Sequence, residues 1–263
     1  MDDAARHAVT GMGSGPGTCW DVAVRTLLPG ASGFDPIDLA EHYAYPDGLT
    51  APHVRVNFVA SADGAVTVDG RSGGLGSDAD RRVFGTLREL ADVVLVGAGT
   101  VRSEDYRGAR KPTRGGTTPP PIAVVTGSAD LDPGARLFTD TVAAPIVLTG
   151  PDAPIERLAA LRAAGADVIV LDPLSPAAVL DELGRRGLHR VLCEGGPRLF
   201  GDLVGADLVD ELCLTVAPVL AAGAAGRIAV GPPGPPPRPL RLVGALEEDG
   251  ALLLRYARTG ESP

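Results

Sequence analysis

The feature that most constrains the fold is a regular alternation of short apolar strands with amphipathic helices in the middle of the chain. Strands are predicted at Asp92–Val96, Ile122–Thr126, Pro145–Thr149, Asp167–Leu171 and Arg190–Cys193. Helices are predicted at Ala79–Leu90, Pro154–Ala164, Ser175–Arg186 and Pro197–Val204. Strands that alternate with helices form parallel sheets covered on both faces. We therefore expect an α/β protein with a mostly parallel central sheet and helices on both faces.

The two ends of this alternating region have a different pattern. Before it, apolar residues alternate from Val54 to Ala60, which predicts a strand, and a second short strand is predicted at Ala65–Val68. After it, Leu240–Glu247 and Leu252–Tyr256 flank the turn Glu248-Asp249-Gly250. This arrangement indicates a C-terminal antiparallel hairpin.

The domain organisation follows from these patterns. We expect an N-terminal arm at residues 1–52, a single domain at residues 53–258 and a tail at residues 259–263. The arm is partly irregular and begins with a Gly/Ser/Pro-rich leader. Within it, only Pro36–Tyr43 has a helical pattern, with Asp35 as a candidate N-cap.

Composition excludes several classes of protein. The 263 residues carry a net charge of -9, which gives no basic surface for nucleic acid. Cys19, Cys193 and Cys213 form no C-x-x-C pair, and we find neither a signal peptide nor an apolar run that spans a membrane, so a cytoplasmic protein is expected. The four histidines lack metal-ligand spacing, so no metal is expected. Lys111 is the only lysine, which excludes a P-loop.

Two glycine turns follow predicted buried strands and precede predicted helices. They are Gly97-Ala98-Gly99-Thr100 and Glu194-Gly195-Gly196-Pro197. Main-chain N–H groups at a helix start are free to bind phosphate, and glycine lets a pyrophosphate approach them. Because both turns lie at the carboxyl ends of strands, they could bracket one dinucleotide. The alternative is that both turns only close tight connections.

Several polar residues lie at strand ends or at a helix start, where they could face a common cleft. They are Asn57, Ser61, Asp63, Asp80 and Glu194. Asp63 before Gly64 is better explained as a turn residue, and Asp80 in the first turn of a helix is favoured by the helix dipole without any ligand. Our hypothesis is that Asp80, with Asn57 and Ser61, binds the polar edge of a heterocyclic substrate.

Taken together, five segments resemble a known family. They are Asn57–Gly64, Leu87–Asp92, Gly97–Arg102, Glu194–Pro197 and Val209–Leu212, the last followed by Ala217-Pro218. In order and spacing they resemble the riboflavin-pathway pyrimidine reductases, the reductase half of the bacterial deaminase-reductase. The resemblance implies a dihydrofolate reductase-like fold, NADPH as hydride donor, a homodimer and no deaminase activity. It also implies reduction of the ribosyl group of 5-amino-6-(5-phosphoribosylamino)uracil to ribityl.

Roles for individual residues come from the residue patterns and from the resemblance. The patterns make Asp80 an expected catalytic residue, with Asn57 and Ser61 as substrate-binding residues beside it. The resemblance implies that Ser72, Arg88 and Glu194 contact the substrate, with Glu194 as the second expected catalytic residue, and, by a loose match, that Arg110 is the phosphate ligand. The expected cofactor-binding residues are Ala60, Gly97, Gly99, Thr100, Glu104, Gly195, Gly196, Pro197, Arg198, Leu199, Phe200 and Gly201. Thr126 and Ser128 are further candidate ligands of the cofactor 2′-phosphate.

Departures from the family pattern leave the substrate open. Gly74 stands where an aromatic cofactor contact is common, and Tyr106 replaces the proline of a D-D-P segment. These departures fit an actinobacterial-looking subgroup in which some members resemble dihydrofolate reductases in activity. A dihydrofolate or pterin reductase is therefore one alternative. A non-catalytic NADP-binding module, which keeps the glycine turns without a working substrate pocket, is another.

Overall fold

The computed structural model describes residues 25–28, 38–68, 70–231 and 237–259, so the predicted leader lies outside the described residues. The strands in the described part are β1 (Arg25–Leu28), β2 (His53–Ser61), β3 (Val93–Gly97), β4 (Ile122–Thr126), β5 (Ile146–Thr149), β6 (Asp167–Val170), β7 (Arg190–Cys193), β8 (Glu211–Ala217), β9 (Leu240–Glu248) and β10 (Ala251–Arg258). They form one sheet in the order β1-β9-β10-β8-β2-β7-β3-β4-β5-β6.

The sheet is parallel from β8 through β6, and its other end is antiparallel. The β9–β10 hairpin pairs through β10 with β8, and β1 pairs with β9. The mostly parallel sheet and the C-terminal antiparallel hairpin are both confirmed. Because β2, β7 and β3 are neighbours and parallel, their carboxyl ends lie side by side at one edge of the sheet.

The helices are α1 (Leu39–His42), α2 (Asp78–Leu90), α3 (Ala98–Ser103), α4 (Arg136–Thr139), α5 (Ile155–Ala163), α6 (Pro176–Arg185) and α7 (Pro197–Gly205). Along β3, Val94 and Val96 join a core that contains residues of α2 and α5. Val93 and Leu95 join a second core that contains residues of α6 and α7. Side chains alternate across a strand, so β3 is buried on both faces between two helical layers. None of the described helices is long and apolar enough to cross a membrane.

Three local expectations differ from the structure. The strand predicted at Ala65–Val68 is wrong, because this segment forms only an isolated bridge between Val68 and Arg71. Helix α1 begins at Leu39 and is capped by Asp38, whose Oδ1 accepts from the Ala40 N–H at 2.8 Å; the candidate N-cap Asp35 lies outside the described residues. The strand β1 was not predicted, since a four-residue strand is stabilised by pairing with β9, far away in sequence.

A buried charge cluster attaches the N-terminal arm to the sheet. Arg55 of β2 has no exposed surface, and its Nε donates to Glu211 Oε2 at 2.8 Å. Arg255 of β10 donates to Glu211 Oε1 at 2.7 Å. The two guanidinium groups also donate to the main-chain carbonyl groups of His42, Tyr43 and Ala44. The arm from residue 42 to residue 44 is thus held by the same ion pairs that join β2, β8 and β10.

Glu211 is ionised in this cluster. Burial opposes its ionisation, but hydrogen bonds from His53 and Arg255 and the charges of Arg55 and Arg255 outweigh burial, so the pKa of Glu211 lies well below its usual range. A buried carboxylate between two arginines is costly to remove, because each arginine is then left without its counter-ion.

We expect Glu211→Gln to lower the free energy of unfolding by about 3 kcal/mol or more, because it leaves the buried Arg55 uncompensated. Urea unfolding followed by circular dichroism measures this loss. The control is Glu89→Gln, which removes an ion pair with the exposed Lys111 and should cost less than about 1 kcal/mol. Equal small losses in both variants would contradict a central role for the Glu211 cluster.

Candidate active site

The structure brings the two glycine turns into contact. One turn follows β3 and the other follows β7, its neighbour in the sheet. The Gly97 N–H donates to the Gly195 carbonyl oxygen at 2.7 Å. The backbone of the two turns therefore forms one continuous surface at the carboxyl edge of the sheet.

At two positions of the second turn, the available space admits only glycine. A Cβ atom on Gly196 would lie 2.5 Å from Thr100 Oγ1, and a Cβ atom on Gly195 would lie 2.7 Å from Phe58 Cζ. Gly195 also has a φ of +92°, a conformation that other residues rarely adopt. Gly196 is the N-cap of the nine-residue helix α7 and provides no side-chain cap, which leaves the first N–H groups of that helix free. This backbone cradle fits a dinucleotide pyrophosphate.

The cradle opens into a cleft of about 680 Å³, which we call the glycine cleft. Its volume lies in the range of small-molecule sites. The predicted cofactor residues that line it are Gly97, Gly99, Thr100, Thr126, Ser128, Gly196, Pro197, Arg198 and Leu199. Most of the predicted cofactor-binding residues therefore share one concave surface.

A second cleft of about 700 Å³, which we call the Asp80 cleft, lies next to the glycine cleft. The predicted residues that line it include Asn57, Ser72, Asp80, Arg88, Glu104 and Glu194. Thr100, Ser103, Gly196 and Pro197 line both clefts. A molecule in one cleft can therefore contact a molecule in the other, across the wall formed by these shared residues.

Asp80 is a partly buried carboxyl group in the first turn of α2. The Asp80 N–H donates to the Ser77 hydroxyl at 3.1 Å, which caps the helix and positions the side chain. Gly76 leaves room for it, since a Cβ atom on Gly76 would lie 3.1 Å from Asp80 Oδ2. Burial raises the pKa of Asp80, and a hydrogen bond with Thr215 and the charge of Arg81 offset part of this rise. Burial therefore disfavours the ionised form of Asp80 relative to that of an exposed carboxyl group.

Arg88 and Glu194 form the wall of the Asp80 cleft. The Arg88 Nε and Nη2 atoms donate to the two carboxylate oxygens of Glu194, each at 2.7 Å. Tyr106 OH donates to Glu194 and accepts from Arg88 Nη2. Burial, followed by the Glu194 charge, raises the pKa of Tyr106 well above its ordinary value. Tyr106, which replaces the expected proline, thus completes a closed hydrogen-bond network beside the cleft.

Two expected substrate ligands lie elsewhere. Ser61 is only 2% exposed, its Oγ accepts from the Ala65 N–H at 2.8 Å and donates to Asp63, and it lines neither cleft. Arg110 is paired with Asp140 through two contacts of 2.6 and 2.7 Å, and it also lies outside both clefts. Other groups of the protein bind both side chains and neither lines a cleft, so their predicted contact with the substrate stays a prediction.

Four expected cofactor contacts lie behind the cleft wall, since Ala60, Gly195, Phe200 and Gly201 line neither cleft. Phe200 stacks on Phe58 with 5.3 Å between ring centroids. Gly201 allows close packing, because a Cβ atom there would lie 2.3 Å from the Val230 carbonyl oxygen. Phe200 and Gly201 are therefore engaged in packing within the protein.

Asp63 is a turn residue, as expected. Its carboxylate accepts from the main-chain N–H groups of Ala221 and Ala222 at 3.1 and 2.7 Å. The hydrogen bond from Ser61 and these two N–H groups lower the pKa of Asp63 to about 2. Asp63 therefore holds the turn after β2 against the loop after β8.

Sequence reasoning assigned no role to Arg71, which lines the Asp80 cleft, or to Thr215, which bonds Asp80 from β8. Arg107 also lines this cleft and belongs to the basic loop at 107–114, whose sequence leaves open whether it binds a substrate phosphate or the 2′-phosphate of the cofactor. Thr215 carries no signal, because pairing in the sheet brings it to α2. No group of His, Cys, Asp and Glu side chains among the described residues is arranged to hold a metal ion.

Comparisons with known proteins agree with this geometry. Residues 52–252 match the family described as the RibD C-terminal domain. A 2,5-diamino-6-ribosylamino-4(3H)-pyrimidinone 5′-phosphate reductase from Archaeoglobus fulgidus is 31% identical over 183 residues, which cover 65% of this chain and 83% of that protein. A reductase of the same name from Methanothermobacter thermautotrophicus is 30% identical over 183 residues, covering 68% and 83%.

A solved structure is also similar. It is that of a pyrimidine reductase-like protein from Corynebacterium diphtheriae, with a TM-score of 0.69 and 26% identity, and the match covers 80% of this chain and 93% of that one. This structural similarity confirms the predicted dihydrofolate reductase-like fold.

We expect Asp80→Asn to stabilise the folded protein at neutral pH. Burial raises the pKa of Asp80 above its ordinary value of 3.8, so the unfolded chain loses this proton first as the pH rises, and ionisation then favours unfolding. The gain in the thermal midpoint should be largest at neutral pH and vanish below pH 3.8. Scanning calorimetry at several pH values measures it.

The matched control is Asp78→Asn, two residues earlier in the same helix. The hydrogen bond and charge of Arg81 lower the pKa of Asp78, so its neutralisation should not stabilise the protein. If Asp80→Asn is no more stable than the wild type at any pH, the buried-carboxyl description of Asp80 is incorrect.

Proposed function

The chain belongs to the RibD C-terminal domain family, and from this premise we propose that it is an NADPH-dependent oxidoreductase that reduces a pyrimidine ribosylamine phosphate. The ribosyl group becomes ribityl, and no deamination is involved. The predicted membership of the riboflavin-pathway pyrimidine reductases is confirmed by the family match. The named activities of the archaeal relatives support an oxidoreductase of this kind.

The observation that carries the proposal is that the glycine cleft and the Asp80 cleft meet at Thr100, Gly196 and Pro197. A reductase must bring its cofactor and its substrate into contact and exclude water between them. When bound, the nicotinamide supplies a hydride. The glycine turns hold the cofactor's pyrophosphate, and the Asp80 cleft orients the substrate against the shared wall.

The choice of NADPH over NADH is supported by groups at the far end of the glycine cleft. Thr126 is the last residue of β4 and lines the cleft, as does Ser128. Arg102 of α3 lines the same cleft, but its Nη1 donates to the Asp130 carbonyl oxygen at 2.8 Å and lies 3.9 Å from Asp130 Oδ2. The two hydroxyl groups suit a 2′-phosphate, because they can donate hydrogen bonds to it.

The protonation state of Asp80 favours one pyrimidine over another as the substrate. The predicted aminouracil and the diaminopyrimidinone named for the archaeal relatives differ at ring position 2, which carries a carbonyl oxygen or an amino group. An ionised Asp80 carboxylate accepts two N–H bonds and matches the amino form. A protonated Asp80 donates one bond and accepts one, and it matches the uracil form. Because burial raises the pKa of Asp80, its environment favours the protonated form more than an exposed site would.

A second candidate function is pterin reduction. A dihydropterin carries the same 2-amino-4-oxo edge as the diaminopyrimidinone, so Asp80 with its hydrogen-bond partner Thr215 suits it equally well. The wall of Arg88, Glu194 and Tyr106 is compatible with either ring. The discriminating group is the anionic end of the substrate rather than the ring edge.

The first test is NADPH oxidation by the purified protein with the aminouracil, the diaminopyrimidinone and dihydrofolate supplied separately. Faster turnover of either pyrimidine is the expected result. Faster turnover of dihydrofolate would favour the pterin reductase. NADPH binding without turnover of any of the three would contradict both enzymes and favour a binding module.

The preference for the two pyrimidines should depend on pH. As the pH rises through the pKa of Asp80, the ratio of kcat/KM for the diaminopyrimidinone to that for the aminouracil should rise. In Asp80→Asn the ratio should lose its pH dependence and shift by about tenfold or more toward the uracil, because an amide accepts one bond and donates one.

The control variant is Asp63→Asn, which changes a carboxylate outside both clefts. Its pyrimidine preference should equal that of the wild type. If Asp80→Asn also leaves kcat/KM for both pyrimidines within about threefold of the wild-type values, Asp80 does not bind the ring edge.

A further inference from the structure

The outer rim of the Asp80 cleft carries several arginines. Those that line it, besides Arg88 in the wall, are Arg71, Arg81, Arg107 and Arg136. An arginine that is already paired with a carboxylate has little free charge for a ligand, whereas an unpaired arginine at a cleft is available to an anion. The partners of each side chain therefore decide which of them can bind a ligand.

Two of the rim arginines are neutralised within the protein. Arg81 pairs with Asp78 at the start of α2. Arg136 of α4 pairs with Asp105 at 2.9 Å and with Asp140 at 3.2 Å. Their positive charges are balanced before any substrate arrives.

Arg71 and Arg107 are different. In the described ranges of the chain, neither guanidinium group has a hydrogen bond or an ion pair, and both side chains are exposed on the cleft. The Arg71 backbone is nevertheless held in place, since it exchanges hydrogen bonds of 2.9 and 3.1 Å with Val68. A fixed backbone with a free guanidinium group is a suitable anchor for an anion.

The segments that carry the two arginines are joined. The Ser72 N–H donates to Glu104 Oε1 at 3.0 Å, which ties the residue after Arg71 to the end of α3, three residues before Arg107. Of the nearby carboxylates in the described residues, Glu104 accepts from the Ser72 N–H and Asp105 pairs with Arg136. Neither of them forms an ion pair with Arg71 or Arg107.

We propose that Arg71 and Arg107 bind the anionic end of the substrate, which is a phosphate monoester if the proposed function is correct. Guanidinium groups form paired, charge-assisted hydrogen bonds with phosphate oxygens. This assignment replaces Arg110, which is held by Asp140 outside the cleft. The two arginines act on binding of the substrate tail and not on the reacting carbon.

The kinetic test compares a phosphorylated pyrimidine substrate with its dephosphorylated form. Arg71→Ala and Arg107→Ala should each raise KM for the phosphorylated substrate by about tenfold, with kcat close to the wild-type value. Neither change should alter kcat/KM for the dephosphorylated form. The control is Arg114→Ala, in the same loop as Arg107 but outside both clefts, which should match the wild type with both substrates.

Two results of this test would overturn the assignment. One is an equal loss with both substrates, which would indicate a general structural effect. The other is a loss confined to Arg110→Ala, which would assign phosphate binding to Arg110, the residue expected from the sequence.

A binding measurement makes the assignment independent of turnover. Ribose 5-phosphate is titrated by calorimetry into protein saturated with NADP⁺, so that the cofactor's own phosphate sites are filled. Saturable binding is expected for the wild type and for Arg114→Ala, and about tenfold weaker binding for Arg107→Ala. No saturable binding by the wild type, or equal binding by Arg107→Ala, would overturn the anion site.

The two measurements separate this assignment from the proposed reaction. The expected binding pattern without reduction of any pyrimidine would leave the anion site standing and refute the reaction. Reduction of a pyrimidine with a KM that does not respond to Arg71→Ala or Arg107→Ala would support the reaction and refute the anion site.

Discussion

The arrangement of the site depends on the close contact between the two glycine turns. Gly97 and Gly195 are joined directly through the main chain at 2.7 Å, and Gly196 approaches Thr100 so closely that no larger residue fits. This contact is possible because β3 and β7 are neighbouring parallel strands that end at the same edge. The glycine cleft and the Asp80 cleft lie on either side of it and share its residues. Their adjacency is what makes a two-substrate reaction possible here.

The charged groups of the protein divide into those that stabilise the fold and those left available to ligands. Glu211 is buried between Arg55 and Arg255, and its ionised form stabilises the attachment of the arm. Asp80 is also partly buried, but burial raises its pKa, so its ionised form destabilises the fold. A carboxyl group that costs stability and lines a cleft is typical of a functional site. Among the described residues, Arg71 and Arg107 have no ion-pair partner, and they are the cationic groups left available to a ligand at this cleft.

Much of this fold could be predicted from the sequence, because its parallel strands are short apolar runs bounded by glycine turns. The strand at Ile122–Thr126 and the start of α7 at Pro197 were predicted without error. Non-local pairing was not accessible in this way, which is why β1 was missed. The same limit explains Thr215, which reaches Asp80 only because β8 pairs with β2.

For the candidate site, the sequence does not reveal the directions in which side chains point, and this limited the prediction of its residues. The positions of Asn57 in β2 and of Ser61 at its end suggested that both face the cleft, but only Asn57 lines it. The Ser61 hydroxyl instead bonds Asp63 and the Ala65 N–H, a local contact that the spacing of polar residues does not reveal. The pairing of Arg110 with Asp140 was equally hidden, because the two residues are distant in sequence.

The most direct test of the account is a crystal structure of the protein with NADP⁺ and the pyrimidine substrate or its ribityl product. We expect the pyrophosphate on the main-chain N–H groups of the two glycine turns. The nicotinamide ring should lie at Thr100, in contact with a pyrimidine whose edge meets Asp80. A nicotinamide ring directed away from the Asp80 cleft, or a pyrimidine bound elsewhere, would contradict the central claim that the two clefts form one active site.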